Sequence, residues 1–340
     1  MSTWLVTGGA GYIGSHVCAA LLDAGHQVVV IDDFSTGHPL AIPDNAVVVP
    51  GSVMSVDLLL SIMRDHRVDG VVHLAARKSV AESVSVPEEY LTVNVAGTLA
   101  VLRAMAVAGV RRMVLSSSAA VYGSGHDRPI LEGTSCEPES PYGLSKLMAE
   151  QAVMSVSGAH GMSWIALRYF NVIGAGHPAR VDRARDNIVP KVFRAISTGT
   201  QPVIYGDDYP TVDGTCVRDY LHVNDLAEAH VVAVRRLDEG SPVAAVYNVG
   251  CDVGVSVREV MDEISHAVGW DISPRVEPRR PGDPAILIAS AQAIREDLGW
   301  VAKSRLRDMV ASSWDAWQAS IQLALGRPDS DPDIVREGRD

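Results

Sequence analysis

The stretch Thr7-Gly8-Gly9-Ala10-Gly11-Tyr12-Ile13-Gly14 follows a short aliphatic run and opens a helix-like segment near the start of the chain. Its glycines, Gly8, Gly11 and Gly14 among them, permit a tight turn and let backbone amides approach a pyrophosphate at the helix N-terminus, where the dipole favours negative charge. A glycine-rich turn alone is a weak signal, because turns use glycine for many reasons. Here the strand before it and the helix after it supply the required context, so the stretch predicts a dinucleotide-binding site.

Short aliphatic runs alternate with helix-like segments through the first half of the sequence. The runs that we interpret as buried strands are residues 5–7, 28–31, 46–49, 70–74, 112–116 and 163–167. The amphipathic segments between them are residues 15–24, 56–65, 90–108 and 142–158. Continuous apolar strands separated by helices are typical of a parallel sheet covered on both faces. The sequence therefore predicts an α/β fold built on a doubly wound parallel sheet of the Rossmann type.

The composition of the sequence changes after about Asn171, where glycine, proline and charged residues become more frequent. We predict a dinucleotide-binding domain over residues 1–171 and a smaller, mixed α/β substrate-binding C-terminal lobe over residues 172–325. Residues 219–237 look like a helix and residues 245–249 like a strand. We expect these segments, within residues 219–249, to return to the first domain, which makes the boundary discontinuous. The polar tail, residues 326–340, is expected to be frayed.

Composition and charge narrow the classes of partner. The apolar fraction is 47%, enough for a full hydrophobic core, and the formal net charge is -12. This charge argues against nucleic acid or an anionic membrane as partner, because both need basic surface, although a few local arginines can still serve one diphosphate. The four cysteines form no CxxC pair and the histidines show no HExxH spacing, so we expect no metal site and no disulfide. With no membrane span or leader expected either, the sequence predicts a cytoplasmic protein.

An acidic residue, Asp32, ends the second predicted strand about twenty residues after the glycine turn. A carboxylate at this position can accept hydrogen bonds from the ribose hydroxyls of a dinucleotide. Together with Asp33 it would repel a 2′-phosphate. The sequence therefore favours NAD over NADP as the cofactor.

Tyr142-Gly143-Leu144-Ser145-Lys146 places a tyrosine and a lysine four residues apart, hence on one face of a helix. An unperturbed tyrosine, with a pKa of about 10, is a poor base at neutral pH. A nearby ammonium and the positive nicotinamide of oxidised NAD both favour the phenolate and lower that pKa. Tyr142 can then take a hydroxyl proton while the carbon gives up hydride. The alternative for this motif alone is an amphipathic helix with an ordinary exposed tyrosine and lysine.

A serine-rich segment, residues 116–123, comes directly after an apolar strand, at the carboxyl end where α/β sites lie. Ser118 is placed there to hydrogen-bond the reacting oxygen. The alternative is an ordinary serine-rich loop. The glycine turn, the serine at a strand end and the YxxxK motif, in that order and spacing, are jointly specific for hydride-transfer chemistry.

Read end to end, the chain resembles the UDP-glucose (UDP-galactose) 4-epimerases of the extended short-chain dehydrogenase/reductase superfamily. The GxxGxxG spacing of the turn points to the superfamily, and residues 206–223, GDDYPTVDGTCVRDYLHV, are the most diagnostic block for the family. The matching blocks lie between position 5 and about position 317 and comprise residues 8–16, 72–80, 82–83, 94–98, 116–123, 142–146, 168–171, 206–223 and 279–283.

The resemblance implies an activity and roles for individual residues. The activity is reversible 4-epimerisation of UDP-galactose and UDP-glucose through a transient 4-keto sugar, with NAD held tightly by a chain that forms a homodimer. Ser118, Tyr142 and Lys146 would form the catalytic group. NAD would also contact Tyr12, Ile13, Ser52, Val53, Leu74, Ala75, Lys78, Asn94, Ser116 and Tyr169. The UDP-sugar would also contact Asn171, Asn187, Ile188, Tyr205, Arg218, Arg280, Asp283 and Leu287.

Two of these assignments have ordinary structural alternatives. Two guanidiniums suit a diphosphate through forked, charge-assisted hydrogen bonds. Without the flanking blocks, however, Arg218 and Arg280 would be interpreted as members of surface ion pairs. Tyr205 could equally be a core aromatic residue.

Three positions depart from the family pattern. Ser52 stands where the family usually has an aspartate that bonds the adenine amine, so NAD retention is expected to be looser. Ala120 replaces a hydroxyl residue and removes one polar substrate contact. Leu287 stands at the position whose bulk is thought to gate N-acetyl groups, and a leucine is intermediate in size. The sequence thus leaves N-acetylated sugars open.

Other functions remain to be weighed. A nucleotide-sugar 4,6-dehydratase needs an acidic pair immediately after the strand-end hydroxyl residue, and this chain has Ala119-Ala120 there. Epimerases of other UDP-sugars (N-acetylhexosamines, pentoses or uronates) stay possible, because one pocket residue can shift the preference. A non-catalytic NAD-binding sensor would keep the glycine turn without needing Ser118, Tyr142 and Lys146.

Overall fold

A central sheet of seven parallel strands carries helices on both of its faces. The computed structural model describes residues 1–126, 128–241, 244–280 and 282–325. The strands are β1 (Thr3–Thr7), β2 (Gln27–Asp32), β3 (Val47–Pro50), β4 (Gly70–His73), β5 (Arg112–Ser118), β6 (Ser163–Tyr169), β7 (Asn171–Ile173), β8 (Val203–Tyr205), β9 (Val217–His222), β10 (Val246–Val249), β11 (Gly254–Ser256), β12 (Arg275–Glu277) and β13 (Ile286–Leu287). The α-helices are α1 (Tyr12–Asp23), α2 (Val56–Asp65), α3 (Val80–Ser85), α4 (Pro87–Tyr90), α5 (Gly97–Ala108), α6 (Pro141–His160), α7 (Ile188–Ser197), α8 (Val223–Glu239), α9 (Val257–Val268), α10 (Gln292–Leu298) and α11 (Leu306–Leu325).

The order of strands across this sheet is β10-β6-β5-β4-β1-β2-β3, and all neighbouring pairs are parallel. The predicted doubly wound, Rossmann-type sheet is therefore confirmed. The order reverses at β1, because β2 and β3 lie on one side of it and the other four strands lie on the other. In open α/β sheets, ligands bind outside the carboxyl ends of the strands at such a reversal. The glycine turn follows β1 directly and so lies at this crevice.

Aliphatic side chains of β1 fill the core on both sides of the sheet. Successive residues of a strand face opposite sides. Trp4 and Val6 pack into the layer that holds α1 and α8, whereas Leu5 packs into the layer that holds α2 and α5. All three side chains are fully buried. Burial of each such side chain stabilises the fold by about 1.5–3 kcal/mol relative to exposure, which explains the continuous apolar runs in the sequence.

The C-terminal lobe is built around β9. Strand β11 pairs with β9 in an antiparallel manner, whereas β7 and β13 pair with it in parallel. Strands β8 and β12 form a separate parallel pair. Phe193 of α7 packs between Trp314 and Trp317 of α11, with ring centroids 5.0 and 5.8 Å away. Because β7 begins just after β6 ends, this second sheet starts at the carboxyl edge of the first.

Two later segments of the chain lie in the first sheet and its helical layers. Strand β10 pairs in parallel with β6 through the residue pairs Val246 with Ala166 to Val249 with Tyr169. Helix α8 packs against α1, and its residues Leu226 and Val234 are fully buried in the same core as β1. Helix α8 and strand β10 therefore add a helix and an edge strand to the nucleotide half of the molecule.

Two sequence predictions of helices are wrong in detail. Residues 219–222, predicted as the start of a helix, belong to strand β9, and α8 begins only at Val223. The His222 ring accepts a hydrogen bond from the amide of Asn224 and so caps the start of that helix. The helix predicted over residues 90–108 is interrupted by a π-helical turn, Leu91–Ala96, between α4 and α5. The predicted tail, residues 326–340, lies outside the described residues.

The expectation that no stretch could span a membrane also needs correction. The helical run Pro87–Ala108 has 22 residues, and an 18-residue window within it reaches a mean hydropathy of 1.6, which is long and apolar enough by length and composition alone. Its residues Val101, Leu102 and Met105 are buried in the core beside β1 and α2. The apolar character of this run therefore has an explanation in the packing of the sheet.

Candidate active site

The turn between β1 and α1 is shaped by close backbone contacts. A Cβ atom on Gly14 would lie 2.1 Å from the carbonyl oxygen of Gly8, so no larger residue fits there. Helix α1 begins at Tyr12 after Gly11, and its first turn has neither a capping side chain nor an acidic residue. The unfilled N-terminal positions and the dipole of α1 favour an anion at this end, as a pyrophosphate would require.

The carboxylate of Asp32, at the end of β2, holds the glycine turn in place. It accepts hydrogen bonds from the amides of Ala10 at 2.9 Å and Phe34 at 2.8 Å. Burial raises the pKa of Asp32, and these two hydrogen bonds oppose that shift. The backbone carbonyl of Asp32 also accepts the Gly51 amide at 2.9 Å, which brings residues 52–53 to the same edge. There the Ser52 hydroxyl accepts the amide of Met54 at 3.2 Å.

The end of β4 lies against the same turn. The amides of Leu74 and Ala75 each donate to the hydroxyl of Thr7 at 3.2 Å. The buried ring of His73 bridges Thr7 at 2.7 Å and Thr98 at 3.0 Å. Burial lowers the pKa of His73 to about 3, so the ring is neutral. This bridge ties β1, β4 and α5 together beneath the predicted nucleotide site.

Asn94 lies in the π-helical turn and is almost fully buried. Its side-chain oxygen accepts the amide of Arg77 at 2.8 Å. Its side-chain nitrogen donates to the carbonyl of Arg77 at 3.0 Å and to the hydroxyl of Ser145 at 2.9 Å. Asn94 therefore links the loop after β4 to α6, and contact with the cofactor stays a prediction for this residue. Single π-helical turns inside helices are frequent at functional sites.

Lys78 and Asn187, predicted to hold different ligands, meet on one carboxylate. The Lys78 ammonium lies 3.6 Å from one oxygen of Asp182, and the Asn187 side chain donates to the other oxygen at 2.6 Å. The same ammonium lies 5.9 Å from the ring centre of Tyr12, whose hydroxyl donates to the carbonyl of Gly174 at 2.6 Å. Asp182 thus joins the predicted cofactor site to the C-terminal lobe.

The first turn of α6 is built to approach the end of β5. The hydroxyl of Ser140 accepts the Gly143 amide at 3.1 Å, and Pro141 occupies the first helical position. A Cβ atom on Gly143 would lie 2.3 Å from the carbonyl oxygen of Ala120. Glycine at this position therefore lets α6 pack directly on the short 3-10 turn that follows Ser118.

This packing brings the three predicted catalytic residues together. The Lys146 ammonium donates to the carbonyl of Ser116 at 2.9 Å. Ser118 lies near Tyr142 and acts to lower its pKa, and the Ser118 hydroxyl accepts the Ala120 amide at 3.1 Å. All three catalytic side chains are less than a tenth exposed. A tyrosine, a serine and a buried ammonium therefore converge at the carboxyl end of β5.

The electrostatics of this group differ from the sequence expectation in one respect. Burial raises the pKa of Tyr142, and Ser118 opposes that shift. Burial lowers the pKa of Lys146 to about 8, and Glu150 acts in the opposite direction. The protein alone thus favours the neutral phenol, although the ammonium was expected to favour the phenolate. The positive charge of oxidised NAD, also part of that expectation, would act in favour of the phenolate.

A buried ion pair lies next to the predicted catalytic residues. Glu150 lies one turn after Lys146 on α6, and Arg168 donates to its two oxygens at 2.9 and 2.6 Å. The hydroxyl of Ser117, next to Ser118, also donates to Glu150. Arg168 donates in addition to the hydroxyl of Tyr122 at 2.9 Å. This network connects α6, β5 and β6 directly beneath the catalytic group.

Arg218, Asp283 and Leu287 lie together in the C-terminal lobe. The Arg218 guanidinium is mostly buried and lies 3.3 Å from a carboxylate oxygen of Asp283. Leu287 on β13 pairs with Arg218 on β9. Leu287 also packs against the cluster that contains Ala119 and Phe170. The predicted sugar gate therefore lies beside Arg218, a predicted diphosphate ligand, and near the turn after Ser118.

Tyr205 is not a core aromatic residue. One cationic side chain contacts its ring, and another lies near its hydroxyl. The Arg280 guanidinium lies 3.8 Å from the ring centre. The Lys191 ammonium lies 5.0 Å from the ring centre and 3.4 Å from the hydroxyl. The hydrogen bond from Arg280 lowers the pKa of Tyr205, and Lys191 acts in the same direction.

The remaining predicted residues occupy the edges of these groups. Tyr169 ends β6, and its hydroxyl forms a hydrogen bond with that of Ser116. Asn171 opens β7 and pairs with Tyr220 of β9. Ile188 opens α7 and packs on the core of the lobe. Val53 is buried beside Leu59 in the core beneath β2.

Three residues that the sequence reading did not single out belong to this arrangement: Glu150, Asp182 and Lys191. Glu150 could have been found, because it lies four residues after Lys146 and hence on the same helical face. Asp182 and Lys191 carry no local signal, since their partners come from distant parts of the chain. Among the described residues, no group of three or more histidine, cysteine, aspartate or glutamate side chains could hold a metal ion.

Comparison with known proteins identifies relatives that match most of this chain. The model of the NAD dependent epimerase/dehydratase family matches residues 4–250. A curated UDP-glucose 4-epimerase of Azospirillum brasilense is 44% identical over 327 residues, covering 95% of this chain and 94% of the relative.

Solved structures agree with the sequence match. UDP-glucose 4-epimerase from Stenotrophomonas maltophila, with bound NAD and formylated UDP-arabinopyranose, superimposes with a TM-score of 0.90 at 36% identity, covering 95% of this chain and 100% of the other. UDP-glucose 4-epimerase from Bifidobacterium longum, in complex with NAD+ and UDP, gives a TM-score of 0.86 at 37% identity, covering 94% and 98%.

Proposed function

The chain belongs to the NAD dependent epimerase/dehydratase family, and we propose that it catalyses the reversible 4-epimerisation of UDP-galactose and UDP-glucose. The observation that carries the proposal is the convergence of Tyr142, Ser118 and the buried Lys146 ammonium at the carboxyl end of β5. Relatives named UDP-glucose 4-epimerase match nearly the whole chain, and solved examples hold NAD and UDP.

The residues at the nucleotide end fit NAD. The turn has no room for a side chain at Gly14. The first turn of α1 contains no acidic residue, so its N-terminal amides can bind an anion. Gly8, Gly11, Tyr12 and Ile13 would hold the pyrophosphate, and Asp32 would accept the ribose hydroxyls and disfavour a 2′-phosphate. When bound, NAD supplies the acceptor for the C4 hydride and its donor on the return step.

The catalytic residues of the chain manage the proton of the 4-hydroxyl. Tyr142 takes this proton as C4 is oxidised to the ketone, and it gives the proton back when C4 is reduced. Ser118 hydrogen-bonds the same oxygen and, from its place near Tyr142, stabilises the phenolate. When it is protonated, Lys146 places a buried positive charge beside the end of β5, and this charge favours the ionised tyrosine.

Inversion requires that the sugar turn over while its nucleotide stays bound. Arg218 and Arg280 would hold the diphosphate through charge-assisted hydrogen bonds. Remote binding energy of this kind leaves contacts to the hexose free to be weak. The 4-keto sugar can then rotate about its bond to the diphosphate and present its opposite face before it is reduced.

The preferred sugar depends on the pocket around Leu287. We infer that UDP-glucose and UDP-galactose are the main substrates, because the relatives are named UDP-glucose 4-epimerases and 4-epimerisation of UDP-glucose gives UDP-galactose. Other UDP-sugars are a second candidate, since Leu287 is smaller than a large aromatic gate and lies beside Arg218. A purely NAD-binding sensor is disfavoured, because it would have no use for the Tyr142 and Lys146 geometry.

Incubation of the purified protein with UDP-galactose, without added cofactor, tests the proposal. The anomeric proton signals in the NMR spectrum should change to include those of UDP-glucose. Conversion only after NAD is added would keep the function and point to weak NAD retention at Ser52. No conversion with NAD present would contradict UDP-galactose as a substrate, and UDP-N-acetylhexosamines and UDP-pentoses would be tried next.

We further propose that the protein is a cytoplasmic homodimer that associates through α5 and α6. These neighbouring helices expose large apolar side chains, namely Leu99, Val107, Leu144, Met148 and Met154. Contiguous exposed apolar patches commonly mark association sites. Light scattering after gel filtration should give twice the chain mass, and the double substitution Leu144→Glu with Met148→Glu should halve it. Leu131→Glu, a charge at an exposed leucine outside these helices, is the matched control.

A further inference from the structure

Lys191 lies on α7, at a position to which the sequence analysis assigned no role. Its ammonium lies 3.4 Å from the hydroxyl and 5.0 Å from the ring centre of Tyr205, which is the last residue of β8. Arg280 lies 3.8 Å from the centre of the same ring. Tyr205 therefore brings together two cations that are 89 positions apart in the chain (280 minus 191).

The charges of the predicted diphosphate ligands, taken together with Lys191, do not cancel. Arg218 is partly neutralised by Asp283 at 3.3 Å. Nearby Arg279 and Arg275 are paired with Asp208 and Glu277, so these two pairs add no net charge. Within the described parts of the chain, neither Lys191 nor Arg280 has a carboxylate at ion-pair distance.

The sum for Arg218, Arg280, Lys191 and Asp283 is two positive charges. This excess stands in a chain whose formal net charge is -12. Positive charges repel one another, so holding several cations close together costs free energy unless an anion binds beside them. A ligand with about two negative charges would balance this excess.

We propose that Lys191 is a third cation of the nucleotide diphosphate site. A nucleotide diphosphate esterified to a sugar carries one negative charge on each phosphate, which matches this excess. Two arginines and Asp283 alone would leave half of that charge unmatched. Lys191 supplies the rest and also holds the Tyr205 hydroxyl, so that the ring keeps its place beside Arg280. The lowered pKa of Tyr205 is the expected effect of this positive field.

This inference rests on the proposed UDP-sugar function and is tested with the NAD-containing protein. Lys191→Met keeps much of the apolar stem and removes the charge, whereas Lys191→Arg keeps the charge. Lys303→Met, at an exposed lysine that pairs with Glu228, is the matched control. Calorimetric titration with UDP gives Kd, and turnover of UDP-galactose gives kcat and KM.

For Lys191→Met, Kd for UDP and KM should rise about tenfold, because a charge-assisted contact to phosphate is lost. The value of kcat should change by less than about twofold, since the contact is made equally in the ground and transition states. The rise in Kd should shrink at high salt, where screening is strong. Lys191→Arg should recover most of the affinity, and Lys303→Met should bind as the wild type does.

Wild-type affinity in Lys191→Met would overturn the inference, and so would an equal loss in Lys191→Arg. A wild-type protein that binds UDP without epimerising UDP-galactose would contradict the proposed function and leave the comparison of Lys191 variants decisive. A wild-type protein that does not bind UDP would contradict both.

Discussion

Glu150 and Arg168 form a two-pronged, buried ion pair directly beneath the strand end that carries Ser118. The guanidinium nitrogens lie 2.9 and 2.6 Å from the two carboxylate oxygens, and the side chains are 6% and 7% exposed. A pair of this kind is costly to break, because removal of one partner leaves the other charge buried without compensation. Its location makes it a support of the catalytic geometry as well as of the fold.

Glu150→Gln should therefore lower the free energy of unfolding by about 3–5 kcal/mol. Urea denaturation followed by circular dichroism measures this loss. Glu228→Gln, in the exposed pair with Lys303, should change the stability by no more than about 1 kcal/mol. A double variant with methionine in place of both Glu150 and Arg168 should lose less than Glu150→Gln alone. Equal losses of stability in Glu150→Gln and in the double variant would show that the unpaired charge is not the cause.

Tyr142→Phe should abolish epimerisation while NAD stays bound. Loss of the acid–base group removes about 10²–10⁴-fold of the rate, and the rest of the nucleotide site is unchanged. Turnover of UDP-galactose and the NAD content of the denatured protein give the two readouts. Tyr247→Phe, which removes a buried hydroxyl bonded to Asp297, is the control and should stay active. Retained turnover in Tyr142→Phe would refute the assignment of the base.

The buried Lys146 should make stability depend on pH. Its pKa in the folded chain is about 8, below the ordinary value of 10.5, because burial disfavours the charged form. Between these two values the unfolded chain still holds a proton that the folded chain has lost, so stability rises with pH. The contribution across this window is up to about 3 kcal/mol.

Urea midpoints measured from pH 7.5 upward in wild type and Lys146→Met isolate this contribution, since other groups titrate alike in both proteins. The wild type should gain stability relative to the variant as the pH rises through the window. Lys303→Met, at an exposed lysine, should follow the wild type. A constant difference between wild type and Lys146→Met would mean that Lys146 is not perturbed by burial.

Leu287 should set the choice between plain and N-acetylated sugars. Leu287→Tyr fills the space beside Arg218 and should lower kcat/KM for UDP-N-acetylglucosamine relative to UDP-glucose by about tenfold or more. Leu287→Ala should shift the ratio in the opposite direction. Ile286→Ala is the control, because neighbouring strand residues face opposite sides. The same ratio of kcat/KM in all three variants would remove Leu287 from the sugar pocket.

Much of the nucleotide half could be predicted from the sequence. Its strands are continuous apolar runs because the sheet is covered on both faces, as Leu5 and Val6 show by packing into opposite layers. The glycine turn and the YxxxK motif are also local signals. Their chemistry follows from residues close in sequence, so spacing alone was enough to place Tyr142 and Lys146 on one face of α6.

Strand β9 is not recognisable as a strand in the sequence, because its buried residues are largely polar. Asp219, fully buried, accepts the amides of Cys251 at 2.8 Å and Ala289 at 3.2 Å. Burial raises the pKa of Asp219 to about 7. A strand whose polar groups are satisfied by distant partners shows no apolar alternation, so its pattern in the sequence resembles the helix that follows it.

The C-terminal lobe is the less predictable part for the same reason. The role of Lys191 depends on Tyr205 and Arg280, and that of Asp182 depends on Lys78 and Asn187. These contacts join separate segments through the tertiary fold. No spacing rule within one helix or strand contains them.

The most direct test of the central proposal is the fate of the hydrogen on C4. UDP-galactose that carries deuterium at this carbon is incubated in ordinary water, and the UDP-glucose formed is analysed by mass spectrometry and NMR. Deuterium retained on C4 of the product is the expected result, because the hydrogen is removed and returned within one closed site while only the Tyr142 proton exchanges with water. Loss of the deuterium to the solvent would contradict inversion by oxidation and reduction at C4.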